Sequence, residues 1–117
     1  MINPIYSALS ALAALGEKLG VTSNNIANMN TEGFKKSRAI LEEAVPSGVT
    51  VTINRIDTPG SPLPSEGGGE GVRESSNVAV EQEMVDLITT KDAYTANLKT
   101  IKTEEEILGT LFDILDR

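Results

Sequence analysis

The chain has 117 residues, a formal net charge of -7, and no Cys, His or Trp. That length bounds it to a single domain, and two Tyr and two Phe are too few aromatics for a thick globular core. Without His or Cys there is no Ser-His or Cys-His nucleophile pair, no imidazole base and no Cys/His zinc or haem site. The acidic balance disfavours binding to a phosphate backbone. Carboxylate chemistry, a hard-metal site, binding and assembly remain open. Met1 to Gly16 carries no basic stretch before its apolar residues, so no secretory signal is expected. No apolar run approaches the roughly 18 residues of a membrane span.

Composition divides the chain into three. Met1 to about Asn28 is apolar-periodic and almost uncharged; about Asn30 to Ser76 holds four of the five Pro and seven of the ten Gly; Asn77 to Arg117 has no Pro and one Gly. The first part reads as a helix, with Asn3 as N-cap and Pro4 at the first helical position. Ile2, Ile5, Leu9, Leu12, Gly16, Leu19, Ser23 and Ile26 follow a 3-4 spacing, a heptad-type seam. Ala8, Ala11, Ala13 and Ala14 widen the apolar face and permit close helix approach. Gly16 and Gly20 each cost about 1 kcal/mol of helix propensity, so this helix needs a partner surface.

The middle contains one clear strand, Val49 to Asn54, alternating and β-branched, behind the turn signal Pro46-Ser47-Gly48. Lys36 to Val45 is its expected mate in a β-hairpin that must lean on a helix or neighbour. Asp57 to Gly71 has the composition of a flexible linker. Its Gly67–Gly71 cluster lacks the Lys-Ser or Lys-Thr of a phosphate-binding loop and reads as linker.

The last part predicts a helix over about 77–115, roughly 58 Å long against roughly 39 Å for the first. Asn77 is its expected cap, with Glu81 and Glu83 near the positive end of the helix dipole. Its seam is Val80, Met84, Leu87, Lys91, Tyr94, Leu98, Ile101, Glu105, Leu108, Phe112, Leu115. Ile107, Leu111 and Ile114 make a second apolar line that a two-helix hairpin cannot cover, which predicts contacts with another subunit or partner. Helices this long exceed a compact chain of this size, so a rod is expected. The fold class is therefore mainly α. Two long antiparallel helices form a coiled-coil hairpin, 1–34 and 77–117 make one helical domain, and 35–76 supplies a β-hairpin and linker.

Two carboxylate groups, Glu42-Glu43 and Glu104-Glu105-Glu106 with Asp113 and Asp116, read as solvated helix or strand faces. The run Ser23 to Asn30 has four Asn in eight residues, unfavourable inside a helix. Two readings stand: Asn24, Asn25, Asn28 and Asn30, with Gly33, end the helix and turn the chain, or their amides bond between packed neighbours and fix register.

The residues carry a resemblance. Ser7 to Leu12 and Leu19-Gly20-Val21-Thr22-Ser23-Asn24-Asn25-Ile26-Ala27-Asn28-Met29-Asn30-Thr31-Glu32-Gly33-Phe34-Lys35 closely resemble the N-terminal signature of bacterial flagellar rod and hook proteins. Ser76-Asn77-Val78, Glu83 to Thr89, Ala93-Tyr94, Ala96-Asn97 and Ile107 to Leu111 are similar to the matching C-terminal signature. The two cover roughly three-fifths of the chain, in the right order at its ends. The resemblance implies a non-enzymatic, cofactor-free structural subunit of the basal-body rod in its periplasmic span. Its terminal helices would pair as a coiled coil and build an axial tube. Its partners would be other axial subunits, itself and the flagellar type III export apparatus, with export that needs no cleaved signal, no nucleic acid and no membrane insertion. The short insert is similar to that of small proximal-rod proteins, whereas Asn30 to Lys35 is closer to the hook and distal-rod version. The residues expected to carry packing and subunit contacts are Ile5, Leu9, Leu12, Leu19, Ile26, Phe34, Asn77, Met84, Leu87, Tyr94, Asn97, Leu98, Ile101, Leu108, Leu111, Phe112 and Leu115, together with Asn24, Asn25, Asn28, Asn30 and Gly33. The alternative is a soluble helical-hairpin adaptor or export chaperone that does not polymerise. An enzyme built on acidic residues finds no pair of carboxylates set in a pocket.

Overall fold

The computed structural model describes residues 3–65, 67 and 71–117. Helix α1 spans Pro4–Ala27. Asn3 caps it, its Oδ1 accepting the backbone N–H groups of Ile5 (3.0 Å) and Tyr6 (3.1 Å), and Pro4 follows where no N–H is needed. At the other end Asn28 is the C-cap; its backbone N–H reaches back to Asn24 and Asn25 carbonyls, and its side-chain amide donates to the Asn24 carbonyl at 2.9 Å. Gly33, at φ 70°, then turns the chain into the sheet.

Strands β1 (Ser37–Glu43) and β2 (Val49–Arg55) pair antiparallel, from Ser37 opposite Arg55 to Glu43 opposite Val49. The expected hairpin is thus present, and it leans on α1. Val49 donates its N–H to the Ser10 hydroxyl at 3.0 Å. Gly48 sits at φ 102°, so close to α1 that a Cβ there would meet Ser10 Oγ at 2.6 Å.

The Asp57–Gly71 stretch has more fixed partners than a free linker. A short ladder joins β3 (Pro62–Leu63) to β4 (Arg73–Glu74), and Gly60 donates its N–H to Glu74 Oε2 at 3.1 Å. Glu66, Gly68, Gly69 and Glu70, most of the predicted glycine-rich linker, lie outside the described residues, as does Ile2 of the predicted seam.

Helix α2 spans Val80–Leu115, about 54 Å at 1.5 Å per residue. Its N-cap is Ala79, which makes no side-chain capping bond. Asn77 is therefore not the cap the sequence suggested. Its amide joins three segments instead: Oδ1 accepts the Lys36 N–H at 2.7 Å, and Nδ2 donates to the carbonyls of Ile56 (2.8 Å) and Thr58 (2.9 Å). Closing those strand-end backbone groups takes the amide that a cap would use, and the Gln82 and Glu83 N–H groups bond the Ala79 carbonyl, both at 3.1 Å.

The two helices lie against each other, with the end of α1 beside the start of α2 at Asn25 and Glu83. The molecule measures 84 × 24 × 14 Å, with a radius of gyration of 21.0 Å, well above the roughly 13–14 Å of a compact chain this long. The expected rod is what the chain forms. The buried apolar core is correspondingly thin: Ala8, Ala11, Ala14, Leu15 and Ala39.

The Gly48 contact yields a test. Gly48→Ala adds a Cβ both at positive φ and against Ser10, and should destabilise the fold by about 1–3 kcal/mol. Urea denaturation followed by circular dichroism measures it.

Candidate interaction surface

The line along which α1 meets its neighbours runs Ala8, Ala11, Leu15, Thr22, Asn25, all buried. On α2 it runs Glu83 and Thr90, buried, then half-buried Ala93, Asn97 and Ile101. Both lines have 3-4 or 7 spacing, and both lie one residue before the apolar seams read from sequence, except at Ile101, where the α2 line meets its seam. One residue is about 100° of helix rotation. The physical reason is size. Ala, Thr and Asn let helix and sheet backbones approach closely, and α1 must accept the hairpin as well as α2.

The rotation decides where the expected interface residues sit. Leu9, Leu19, Met84, Tyr94, Leu98, Leu108, Leu111, Phe112 and Leu115 are exposed. Ile5, Leu12, Ile26, Phe34, Leu87, Asn97 and Ile101 are half-buried, as are Asn28 and Asn77. Asn24, Asn30 and Gly33 are exposed, and Asn25 alone of the set is buried, at 1% exposure. Beyond Glu104 every residue of α2 is exposed. There Ile107, Leu111 and Ile114 lie beside Leu108 and Leu115 as one broad apolar face, with Phe112 at its edge next to Glu105, Glu106 at its start, and Asp113 turned away. An exposed apolar face this wide marks an interaction site.

The sequence reading missed the small-residue line and the polar node that holds it. Asn25 Oδ1 accepts the Ser37 N–H at 3.0 Å, and its Nδ2 donates to the Ser37 carbonyl at 2.8 Å and to Glu83 Oε2 at 3.2 Å. One amide thus ties α1, β1 and α2 together. Glu83 is fully buried. Arg38 of β1 stands 3.5 Å from its Oε1, donates to Asp86 Oδ2 at 2.6 Å and reaches Gln82 Oε1 at 3.2 Å. A buried carboxylate without such a cation would be strongly destabilising. Of the two readings of the Asn run, Asn25 fixes neighbours and Asn28 ends the helix. The signal for the first was the Asn25-to-Glu83 pairing of polar residues at seam spacing, which a search for apolar periodicity passes over.

At the far tip, Arg73 grips Glu32 with two parallel bonds of 2.7 and 2.8 Å. That hydrogen bonding holds the Glu32 carboxyl below the ordinary value of 4.5. Lys35 does the same for Glu74, which also accepts the Gly60 N–H. Lowered carboxyl values mean that both pairs contribute fully at neutral pH and are lost as pH falls through the lowered values.

Comparison with known proteins bears on this arrangement. Residues 5–35 match the family model described as flagella basal body rod protein, and residues 70–114 match that of the flagellar basal body rod FlgEFG protein C-terminal. The flagellar basal-body rod protein FlgG of Bacillus subtilis is 47% identical over 45 residues, 38% of this chain and 17% of that protein. The flagellar hook protein FlgE of Borreliella burgdorferi is 32% identical over 68 residues, 58% of this chain and 15% of that protein. FlgG of the same organism is 30% identical over 84 residues, 72% of this chain and 30% of that protein. The chain therefore spans less than a third of the length of these relatives.

Two tests follow from the node and the tip. Asn25→Leu leaves the Ser37 backbone pair unsatisfied and should cost about 2–3 kcal/mol, whereas Asn24→Leu, on the exposed side, should stay within about 0.5 kcal/mol; denaturant titration compares them. Arg73→Gln should return the Glu32 titration midpoint to the ordinary glutamate range, and NMR titration of the side-chain carboxyl carbon reads it. The two family models bracket the two helices and the buried Asn25–Glu83 node between them, and the chain belongs to the flagellar rod and hook protein family.

Proposed function

We propose that this chain is a structural subunit of the flagellar basal-body rod, without enzymatic activity, that assembles through its terminal helices into the axial tube. The observation that carries this reading is the mismatch between the faces the chain buries and the faces it needs to bury. Small and polar residues occupy the contact within the chain, and Leu9, Leu19, Met84, Tyr94, Leu98 and the face from Ile107 to Leu115 stay in water. Leaving that much apolar surface exposed is costly at roughly 25 cal/mol per Å², and self-assembly removes the cost.

In this reading the two helices act as an antiparallel coiled coil, and 1–34 with 77–117 form one assembly unit. The apolar lines named above become the subunit contacts. The 35–76 insert, clamped to α1 through Ser10 and Gly48, stiffens the unit and faces outward. Partners are other rod and hook subunits and further copies of itself, and the site of action is the flagellum, reached through the flagellar export apparatus. The names of the relatives and the order of the two family matches support this assignment. A monomeric adaptor or export chaperone could also use an uncovered apolar face to hold its client; what favours the rod reading is the pair of rod-family matches at the two ends of the chain.

Leu98→Asp and Leu108→Asp discriminate the readings. Both positions are exposed, at 47% and 41%, so helicity and denaturation midpoint of the isolated chain should change little, within about 0.5 kcal/mol. Assembly should be lost, because a charge would enter an apolar contact. In cells the same variants should give few or no hook–basal bodies in electron micrographs and no motility. Normal basal bodies and motility would reject the rod assignment.

A further inference from the structure

Between α1 and α2 lies an apolar cleft of about 160 Å³, lined by Leu15, Leu19, Thr90, Lys91, Tyr94 and Thr95. Its size is that of a site for one phenyl ring; a dry cavity of about 150 Å³ accepts benzene. One wall is unsatisfied. Thr90 is 3% exposed, and its hydroxyl has no hydrogen-bond partner among the described residues. Four other threonines of α2, Thr89, Thr95, Thr100 and Thr110, bond a carbonyl of the preceding turn, and Thr103 is exposed to water.

The chain also carries a ring with nowhere to go. Phe112, 65% exposed, stands at the edge of the bare apolar face of α2. Glu105 and Asp116 flank it on the helix surface and form no ion pair among the described residues, and neither do Lys91, on the cleft wall, and Lys99, further along the same helix. Apolar size and charge therefore match between two places on one molecule. They cannot meet within it, because Phe112 lies beyond the end of the helix contact and the cleft lies in its middle.

We propose that the cleft is the receptor for the C-terminal segment of a second copy. Phe112 of one subunit seats between Leu15, Leu19 and Tyr94 of the next. Its flanking carboxylates meet Lys91 and Lys99. Because knob and cleft are different surfaces, the contact is head-to-tail and does not close on itself in a pair; it propagates as a line of subunits. This inference rests on the assembly reading above and specifies which surfaces mate.

The chain has no Cys, so single-cysteine variants report cleanly. Full-length Asp116→Cys is mixed with full-length Lys91→Cys under mild oxidation, a pair that leaves Phe112, Leu15, Leu19 and Tyr94 in place, with Asp116→Cys plus Thr52→Cys, on the exposed strand, as the control. Association is followed in parallel by analytical sedimentation, which also compares Phe112→Ala with the unaltered chain. The expected result is a heterodimeric disulfide at least tenfold above the control pair, and a self-association constant lowered about ten- to a hundredfold by Phe112→Ala, with unchanged circular dichroism. Self-association without preferential cross-linking and without loss in Phe112→Ala overturns the knob-and-cleft contact and leaves the rod reading standing. Failure of the unaltered chain to self-associate at any concentration overturns this contact between copies; loss of basal bodies in the Leu98→Asp strain would then still uphold the rod reading through other subunits.

Discussion

The arrangement depends on one buried amide. Asn25 offers a donor and an acceptor to the backbone of Ser37 and a second donor contact to Glu83, and no apolar side chain of its size could do so. Because these bonds are made away from water, losing them costs more than their net contribution when formed. They set the rotation of α1 and α2 about their axes and the point where β1 leaves α1. Arg38 completes the node by bringing a cation to the buried Glu83 and binding Asp86 one turn further along α2. The start of the hairpin and the start of the second helix are thus held by the same few side chains.

That rotation has a consequence for the rest of the molecule. With Asn25 and Glu83 facing inward, the residues in phase with them also face inward: Ala8, Ala11, Leu15 and Thr22 on one helix, Thr90 and Asn97 on the other. The leucines, one residue later, are carried outward. The chain therefore folds through polar specificity and close approach of small residues and leaves many of its larger apolar groups exposed. In the proposed rod subunit, burying them internally would give a more stable monomer and a poorer building block. The bare last turns of α2, past Glu104, extend the same logic along the rod axis.

Much of this was legible in the sequence. The Asn3–Pro4 start, the end of α1 at Asn28, the hairpin and the elongated shape all follow from local signals: a capping residue, a run of amides, β-branched alternation, and helices too long for a sphere. The phase of the helix contact was not legible, because apolar periodicity marks what must leave water and does not say which partner removes it. Leu98 and Phe112 stay exposed among the described residues. Asn77 shows the other limit. A cap and a cross-segment staple both use an amide at that position, and only the placement of Lys36, Ile56 and Thr58 around it decides between them.

The central claim is that the apolar faces are uncovered in the single chain and covered only by other subunits. Hydrogen exchange of the α2 amides, compared between dilute monomer and assembled material, tests it most directly. The account predicts rapid exchange from Glu105 to Leu115 in the monomer, slower exchange near Glu83 to Thr90 where the helix is clamped, and strong protection of the C-terminal stretch after assembly. Equal protection of that stretch in monomer and assembly would contradict it.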